Sequence, residues 1–251
     1  MNFVNCNGKI VAEGKPLFTA QNRSFKYGDG IFETMKVSQG KLVLAGYHFD
    51  RLFTSIRLLQ LTAEKKFTAH YMQNEIKDLC HLNKCSDLAR VRLAVYRGDK
   101  NKAEYLLEAF AIDAVVNNLN EKGWQIDIYP FAQKSCDAFA NLKSANYLPY
   151  VLADLYAKEK ELNECLLLNS SNKICDASKA NVFLISNADI FTPALHQGCI
   201  NGVMRRHVIE EAKKRSYIVH QTEISEEMIT NADEVFLTNA IQGIRWVSRF
   251  R

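Results

Sequence analysis

The sequence lacks any apolar run approaching the ~20 residues that a membrane-spanning helix requires. Its opening stretch, MNFVNCNGKIVAEG, carries no long apolar core of the kind a secretory leader needs. Neither export nor membrane insertion is expected, and no membrane partner. There is no internal repeat, no low-complexity tract and no block of like charge. The charge imbalance is slight: 32 Lys and Arg against 28 Asp and Glu, a formal net charge of +4. That excess is too weak to argue for a nucleic-acid partner. The seven cysteines (Cys6, Cys80, Cys85, Cys136, Cys165, Cys175 and Cys199) are odd in number and irregularly spaced. A disulfide framework is not expected, and a reducing cytoplasm is the expected compartment. Cys80, His81 and Cys85 lie close together, but no second Cys/His pair follows at zinc spacing, so no metal site is expected.

What is present suits a globular chain with a sizeable core. Of 251 residues, 47% are apolar and 24% charged, enough for one large domain or two smaller ones. An Asn-rich polar stretch is the best candidate linker. The expected division is a smaller N-terminal domain over 1–113, a linker over 114–122 and a C-terminal domain over 123–251.

Along the chain, residues 1–20 read as two extended pieces around a Gly-Lys turn. Tyr27-Gly28-Asp29-Gly30 is turn chemistry, followed by a strand from Ile31 to Val37. From His48 the period changes: Phe49, Leu52, Phe53, Ile56 and Leu59 recur at helical spacing, with Arg51 beside the stripe near the expected helix start. Phe67–Leu82 reads as a second helix. Leu88–Tyr96 alternates cleanly, with Val91, Leu93 and Val95 on one face and Arg90 and Arg92 on the other. Strands are expected over Glu104–Ile112 and Trp124–Tyr129. Pro149–Lys160 has helical period, with Leu152, Leu155 and Tyr156 expected inward. Short strands are expected at Cys165–Asn169, Ala180–Ile185 and Glu234–Thr238, and Asp176 is expected in a small-residue loop.

The chemistry is expected around Lys143. It is the only charged residue in the sixteen positions from Ala138 to Ala153. An ammonium among small, amide, aromatic and aliphatic groups is poorly solvated, which disfavours its charged form. Such a lysine can attack an aldehyde, although a lysine that merely snorkels to the surface would give the same window. Gly198 and Gly202 precede a helix expected near Val203. A glycine turn feeding a helix start leaves backbone N–H groups and a positive dipole end that suit a phosphate. Thr238-Asn239 ends a strand with hydroxyl and amide groups. Arg51 reads either as a solvated arginine or as a phosphate or carboxylate ligand. Asp176 reads either as a turn former or as a partner for a cationic ring. A phosphorylated pyridine aldehyde would use all five features, and pyridoxal phosphate fits that description.

Seven stretches in this order, FKYGDGIFETMKV, HFDRL, ARVRLAVYRG, NLKSANYLPYVLA, CDASKANVF, GCINGVMR and EVFLTNAIQGI, make the chain resemble the class IV, fold-type IV pyridoxal-phosphate-dependent aminotransferases. That family includes branched-chain and D-amino-acid aminotransferases and 4-amino-4-deoxychorismate lyase. The resemblance implies an α+β, two-domain, D-amino-acid-aminotransferase-like fold with the cofactor between the domains, and a homodimer. It implies that Lys143 forms a Schiff base with pyridoxal phosphate. Arg51, the backbone N–H groups of Val203 and Met204, and Asn239 would bind its phosphate. Tyr147 would bond its phenolic oxygen and Asp176 its ring nitrogen. Asp176 is a departure, since the family usually places glutamate there. Tyr27, Phe32 and Lys36 match positions lining the substrate pocket, and Arg92 could bind a substrate carboxylate. The implied reaction moves an amino group between an amino acid and a 2-oxo acid. The alternatives are pyruvate elimination from aminodeoxychorismate and cofactor binding without turnover.

Overall fold

In a computed structural model, which describes residues Asn2–Arg251, the chain forms two compact units. The first takes the chain up to Val116 together with Lys143–Asn146. The second takes Asn117–Leu142 and Tyr147–Arg251.

The first unit is a six-stranded antiparallel sheet with helices. Its strands are β1 (Phe3–Cys6), β2 (Lys9–Ala12), β3 (Gly30–Ser38), β4 (Lys41–Leu42), β5 (Leu88–Arg97) and β6 (Ala103–Ala111), in the order β2-β1-β6-β5-β3-β4. Its helices are α1 (Arg23–Tyr27), α2 (Ala45–Leu58) and α3 (Ala69–Leu82). The alternation of β5 places Ala89, Val91, Leu93 and Val95 in the core with no exposure. There they meet Phe49, Leu52 and Ile56 of α2 and Met72, Ile76 and Leu79 of α3. Period 2 on the sheet and period 3.6 on the helices thus present matching apolar faces. Helix α2 begins at Ala45, before the expected start at His48. Arg51 therefore stands in mid-helix rather than near its N-terminus.

The second unit holds an eight-stranded mixed sheet. Its strands are β7 (Trp124–Lys134), β8 (Glu164–Asn169), β9 (Ile174–Ala177), β10 (Asn181–Ser186), β11 (Asp189–Pro193), β12 (Val219–Thr222), β13 (Glu234–Asn239) and β14 (Gly243–Phe250). They lie in the order β12-β11-β10-β13-β14-β7-β8-β9. Helices α4 (Leu148–Glu159), α5 (Val203–Lys214) and α6 (Glu226–Thr230) belong to this unit. Strand β7 runs to Lys134, five residues beyond the expected end at Tyr129. Asp176 lies on β9, opposite Leu167 of β8, and not in a loop. A four-residue strand buried at all four positions has no alternation to reveal it.

Helix α4 also differs from expectation. Its buried residues are Tyr150, Ala153 and Ala157. Leu152 and Leu155, expected inward, are 40% and 54% exposed. The small alanines pack the helix against its unit together with Tyr129, Cys165 and Leu167, and the bulkier aliphatic stripe is left on the outside.

Strand β8 opens on a buried carboxylate. Glu164 accepts hydrogen bonds from the Ser178 hydroxyl and from the Lys179 backbone N–H. Burial outweighs these contacts and pushes its pKa from 4.5 up to about 7. Between those values the folded state retains a proton that the unfolded chain has lost, so stability falls as pH rises. Over that window the loss is about 3 kcal/mol, at about 1.36 kcal/mol per pKa unit. Urea denaturation of Glu164→Gln at pH 5 and pH 8 should show a flatter pH dependence and higher stability at pH 8. An unchanged slope would contradict this assignment.

Candidate active site

In the first unit the candidate residues gather on and beside β3. Strand β4 covers only Val37 and Ser38 of β3, leaving the edge of its beginning unpaired. Lys143–Ala145 occupies that edge. Phe32 N–H donates to Lys143 O at 2.9 Å, Ala145 N–H donates to Gly30 O at 2.8 Å, and Ile31 bridges Ser144. An exposed edge is a template for another extended segment, and the lysine segment uses it. Lys143 is half-buried, with Nζ 4.6 Å from the centroid of the Phe32 ring. The Arg92 guanidinium lies 4.9 Å from the same ring and pairs with Glu108 at 3.3 Å. Phe32, Lys143 and Arg92 are therefore neighbours. Lys36 lies on the Phe32 face of β3, four residues on. Tyr27, on α1, is 61% exposed and lies under the Arg23 guanidinium.

Arg51 is organised by a residue that the sequence reading missed. Glu33 shares the core-facing side of β3 with Ile31, Met35 and Val37 and is 2% exposed. It accepts from Arg51 through both oxygens, at 2.7 and 2.5 Å, and Oε2 lies 2.6 Å from His48 Nδ1. Burial alone would raise its pKa. Arg51 and then His48 overcome that effect and bring it to about 2. The fork of two bonds fixes the plane of the guanidinium. The signal for Glu33 was an acid standing in the apolar phase of an alternating strand.

In the second unit the centre is Asp176, 1% exposed. Its Oδ2 accepts from Lys134 Nζ at 3.0 Å, the Tyr150 hydroxyl at 2.7 Å and the Ile200 backbone N–H at 2.9 Å. Its Oδ1 accepts from Asn181 Nδ2 at 2.8 Å. Burial first, and the neighbouring Asp176 carboxylate second, push the Tyr150 phenol well up, so it remains a donor. Tyr147, the N-cap of α4, stacks on Tyr150 with ring centroids 4.3 Å apart. Lys134, Tyr150 and Asn181 were not among the site residues read from the sequence.

Asn181 ties this cluster to the start of α5. Its Nδ2 also donates to Ile200 O at 2.9 Å, and its Oδ1 faces Gly202, the N-cap of α5. No side chain caps this helix start. The N–H groups of Val203 and Met204 belong to its first turn, where no intrahelical acceptor exists. Thr238 pairs with Asn181 in the sheet register. Its hydroxyl is buried and without a hydrogen-bond partner. Asn239 spends its amide elsewhere: its Oδ1 accepts from the N–H groups of Ile241 and Gln242, and its Nδ2 donates to Gln242. An uncapped helix start beside an unpartnered hydroxyl suits a bound phosphate. A buried carboxylate with one oxygen holding a single donor suits a ring N–H. These residues fit pyridoxal phosphate. No group of side chains suited to a metal ion occurs among the described residues.

A family model described as amino-transferase class IV matches residues 30–250. An aminodeoxychorismate lyase of Bacillus subtilis is 27% identical over 249 residues, spanning 95% of this chain and 83% of that protein. A putative branched-chain-amino-acid aminotransferase of Methanocaldococcus jannaschii is 28% identical over 246 residues, spanning 95% of this chain and 84% of that protein. Among solved structures, the branched-chain amino acid aminotransferase of Escherichia coli superposes with a TM-score of 0.88 at 18% identity, covering 99% of this chain and 86% of that one. That likeness establishes the α+β fold.

The Gly202 position is open to a direct test. A Cβ there would stand 1.8 Å from Asn181 Oδ1, and Asn181 is held by Asp176 and Ile200. Gly202→Ala should cost about 1–3 kcal/mol of stability by urea unfolding, the usual range for overpacking. Wild-type stability would show that Asn181 yields freely.

Proposed function

Because the chain belongs to the class IV amino-transferase family, we propose that it is a pyridoxal-phosphate-dependent aminotransferase moving an amino group between an amino acid and a 2-oxo acid. The observation that carries this reading is Lys143, held at the β3 edge by backbone hydrogen bonds with its amine against the Phe32 ring. A lysine anchored through its backbone fixes the point from which its amine reaches, and the Phe32 ring is the surface it lies against, as positioned covalent catalysis requires. When bound, the cofactor supplies an aldehyde for amine exchange and a ring that draws electrons from the substrate's Cα.

The chain's own residues divide the remaining work. Lys143 Nζ holds the cofactor and then carries the proton that leaves Cα. The N–H groups of Val203 and Met204 bind the phosphate, and the unpartnered Thr238 hydroxyl is a better placed side-chain ligand than Asn239. Arg51, its guanidinium plane set by Glu33, is a further phosphate ligand. Asp176 offers Oδ1 to the ring nitrogen, and Tyr147 bonds the phenolic oxygen. Phe32, Tyr27 and Lys36 line the substrate's path, and Arg92 binds a substrate carboxylate. The outward apolar stripe of α4, with Leu148 66% and Leu155 54% exposed, supports a homodimer. The seven free cysteines are consistent with a reducing, cytoplasmic setting.

A second reading, elimination of pyruvate from aminodeoxychorismate, draws support from the lyase of Bacillus subtilis among the relatives. The two reactions separate cleanly. Only the lyase releases pyruvate from aminodeoxychorismate without an added oxo acid. The aminotransferase reading predicts no such release, and predicts that an amino acid converts the bound cofactor to its amine form. In either case Lys143→Ala should lose the visible absorbance of the covalently held cofactor and fall at least about 10²-fold in turnover, the scale of losing a positioned proton-transfer group. Retained absorbance and turnover would refute the role of Lys143.

A further inference from the structure

Arg205 has no part in the function proposed above, and it is a buried cation without an ionic partner. It is the third residue of α5 and only 2% exposed. Its Nη2 donates to Pro193 O of β11 at 2.8 Å and to Gln221 Oε1 of β12 at 2.9 Å. Both acceptors are neutral. Its Nε is buried and has no hydrogen-bond partner. Among the described residues no carboxylate forms an ion pair with it. Burial, the largest influence, pushes the guanidinium's pKa down, against the opposing pull of Cys199 and Asp176. An arginine nevertheless keeps its charge inside a protein.

That charge is not cancelled nearby. Burial first, and Asp176 second, push the Cys199 thiol up to about 12, so it stays neutral. The Asp176 carboxylate already faces the Lys134 ammonium at 3.0 Å. Two buried cations, Lys134 and Arg205, thus stand against one buried anion, and one positive charge is left over. A charge taken out of water is disfavoured unless something pairs with it.

We propose that Arg205 is a positioning residue for the cofactor: its uncancelled charge is the counter-charge that holds the phosphate at the start of α5. That role rests on the functional reading above, in which the N–H groups of Val203 and Met204 bind the phosphate. Those two residues directly precede Arg205 in the first turn of the helix. A Cβ on Gly202, the N-cap, would stand 3.4 Å from Arg205 Cβ, so the base of the side chain lies against that turn. From there the guanidinium reaches β11 and β12, and it acts on the phosphate through its field rather than by contact. Burial leaves that field weakly screened, and it adds to the positive end of the helix dipole. The next residue, Arg206, cannot do the same. It is 44% exposed and pairs with Glu210 at 3.1 Å, where water and salt screen it.

The test compares binding of pyridoxal phosphate with binding of pyridoxal, which lacks the phosphate, read from the visible absorbance of the covalently held ligand. Arg205→Gln keeps a donor but not the charge. It should weaken binding of pyridoxal phosphate by about tenfold, the lower end of what a nearby opposite charge does to an ionisation, and leave pyridoxal unchanged. Gln221→Glu alters an exposed residue and gives Arg205 the carboxylate it lacks, which covers the case in which Arg205→Gln fails to fold. It should lower the preference for the phosphorylated ligand while urea stability stays at or above the wild-type level. A merely structural Arg205 predicts otherwise: equal losses for both ligands in Arg205→Gln, and an unchanged preference in Gln221→Glu. Either result overturns the proposal. If the wild-type protein binds neither ligand, the functional reading fails and this inference with it. If it binds both and the preference does not respond, only this inference fails.

Discussion

A carboxylate taken out of water must be given donors or a counter-ion, and two buried carboxylates organise the candidate site residues. Glu33 does so in the first unit. Standing among apolar side chains on β3, it draws the Arg51 guanidinium and the His48 ring from α2. Asp176 does so in the second, gathering Lys134, Tyr150, Asn181 and the Ile200 N–H from four separate segments. Neither acid is placed to gain stability cheaply. Each fixes the orientation of its hydrogen-bond partners within its own unit.

Around those two points the rest is backbone geometry. The short strand β4 leaves part of the β3 edge unpaired, and the lysine segment takes it. The glycine at the start of α5 lets Asn181 approach, and Asn181 connects that helix start to Asp176. Thr238, next to Asn181 across the sheet, is left with a buried hydroxyl and no partner. The chain therefore tolerates an unsatisfied polar atom beside an uncapped helix, an arrangement that burial disfavours unless a ligand completes it.

Much of this was legible in the residues. The stripe of α2 and the alternation of β5 each have one apolar face, and both pack as their period requires. The glycine-led start of α5 was legible for the same local reason. Helix α4 was not, because Leu148–Glu159 is apolar on two stripes. Periodicity alone does not reveal that Ala153 and Ala157 permit the closer approach while Leu152 and Leu155 stay outside. Asp176 was misplaced because its four-residue strand is buried on both faces and so has no alternation, and small residues follow it directly. Lys134 gave no local signal at all. Its acceptors lie 6, 42 and 64 residues away in sequence, so only the folded chain reveals it.

The measurement that bears most directly on the account is the site of covalent attachment. Wild-type protein incubated with pyridoxal phosphate, reduced with borohydride, digested and mapped by mass spectrometry should carry the cofactor on Lys143 and leave Lys134 unmodified. Attachment at Lys134 or at any other lysine, or no attachment, would contradict it.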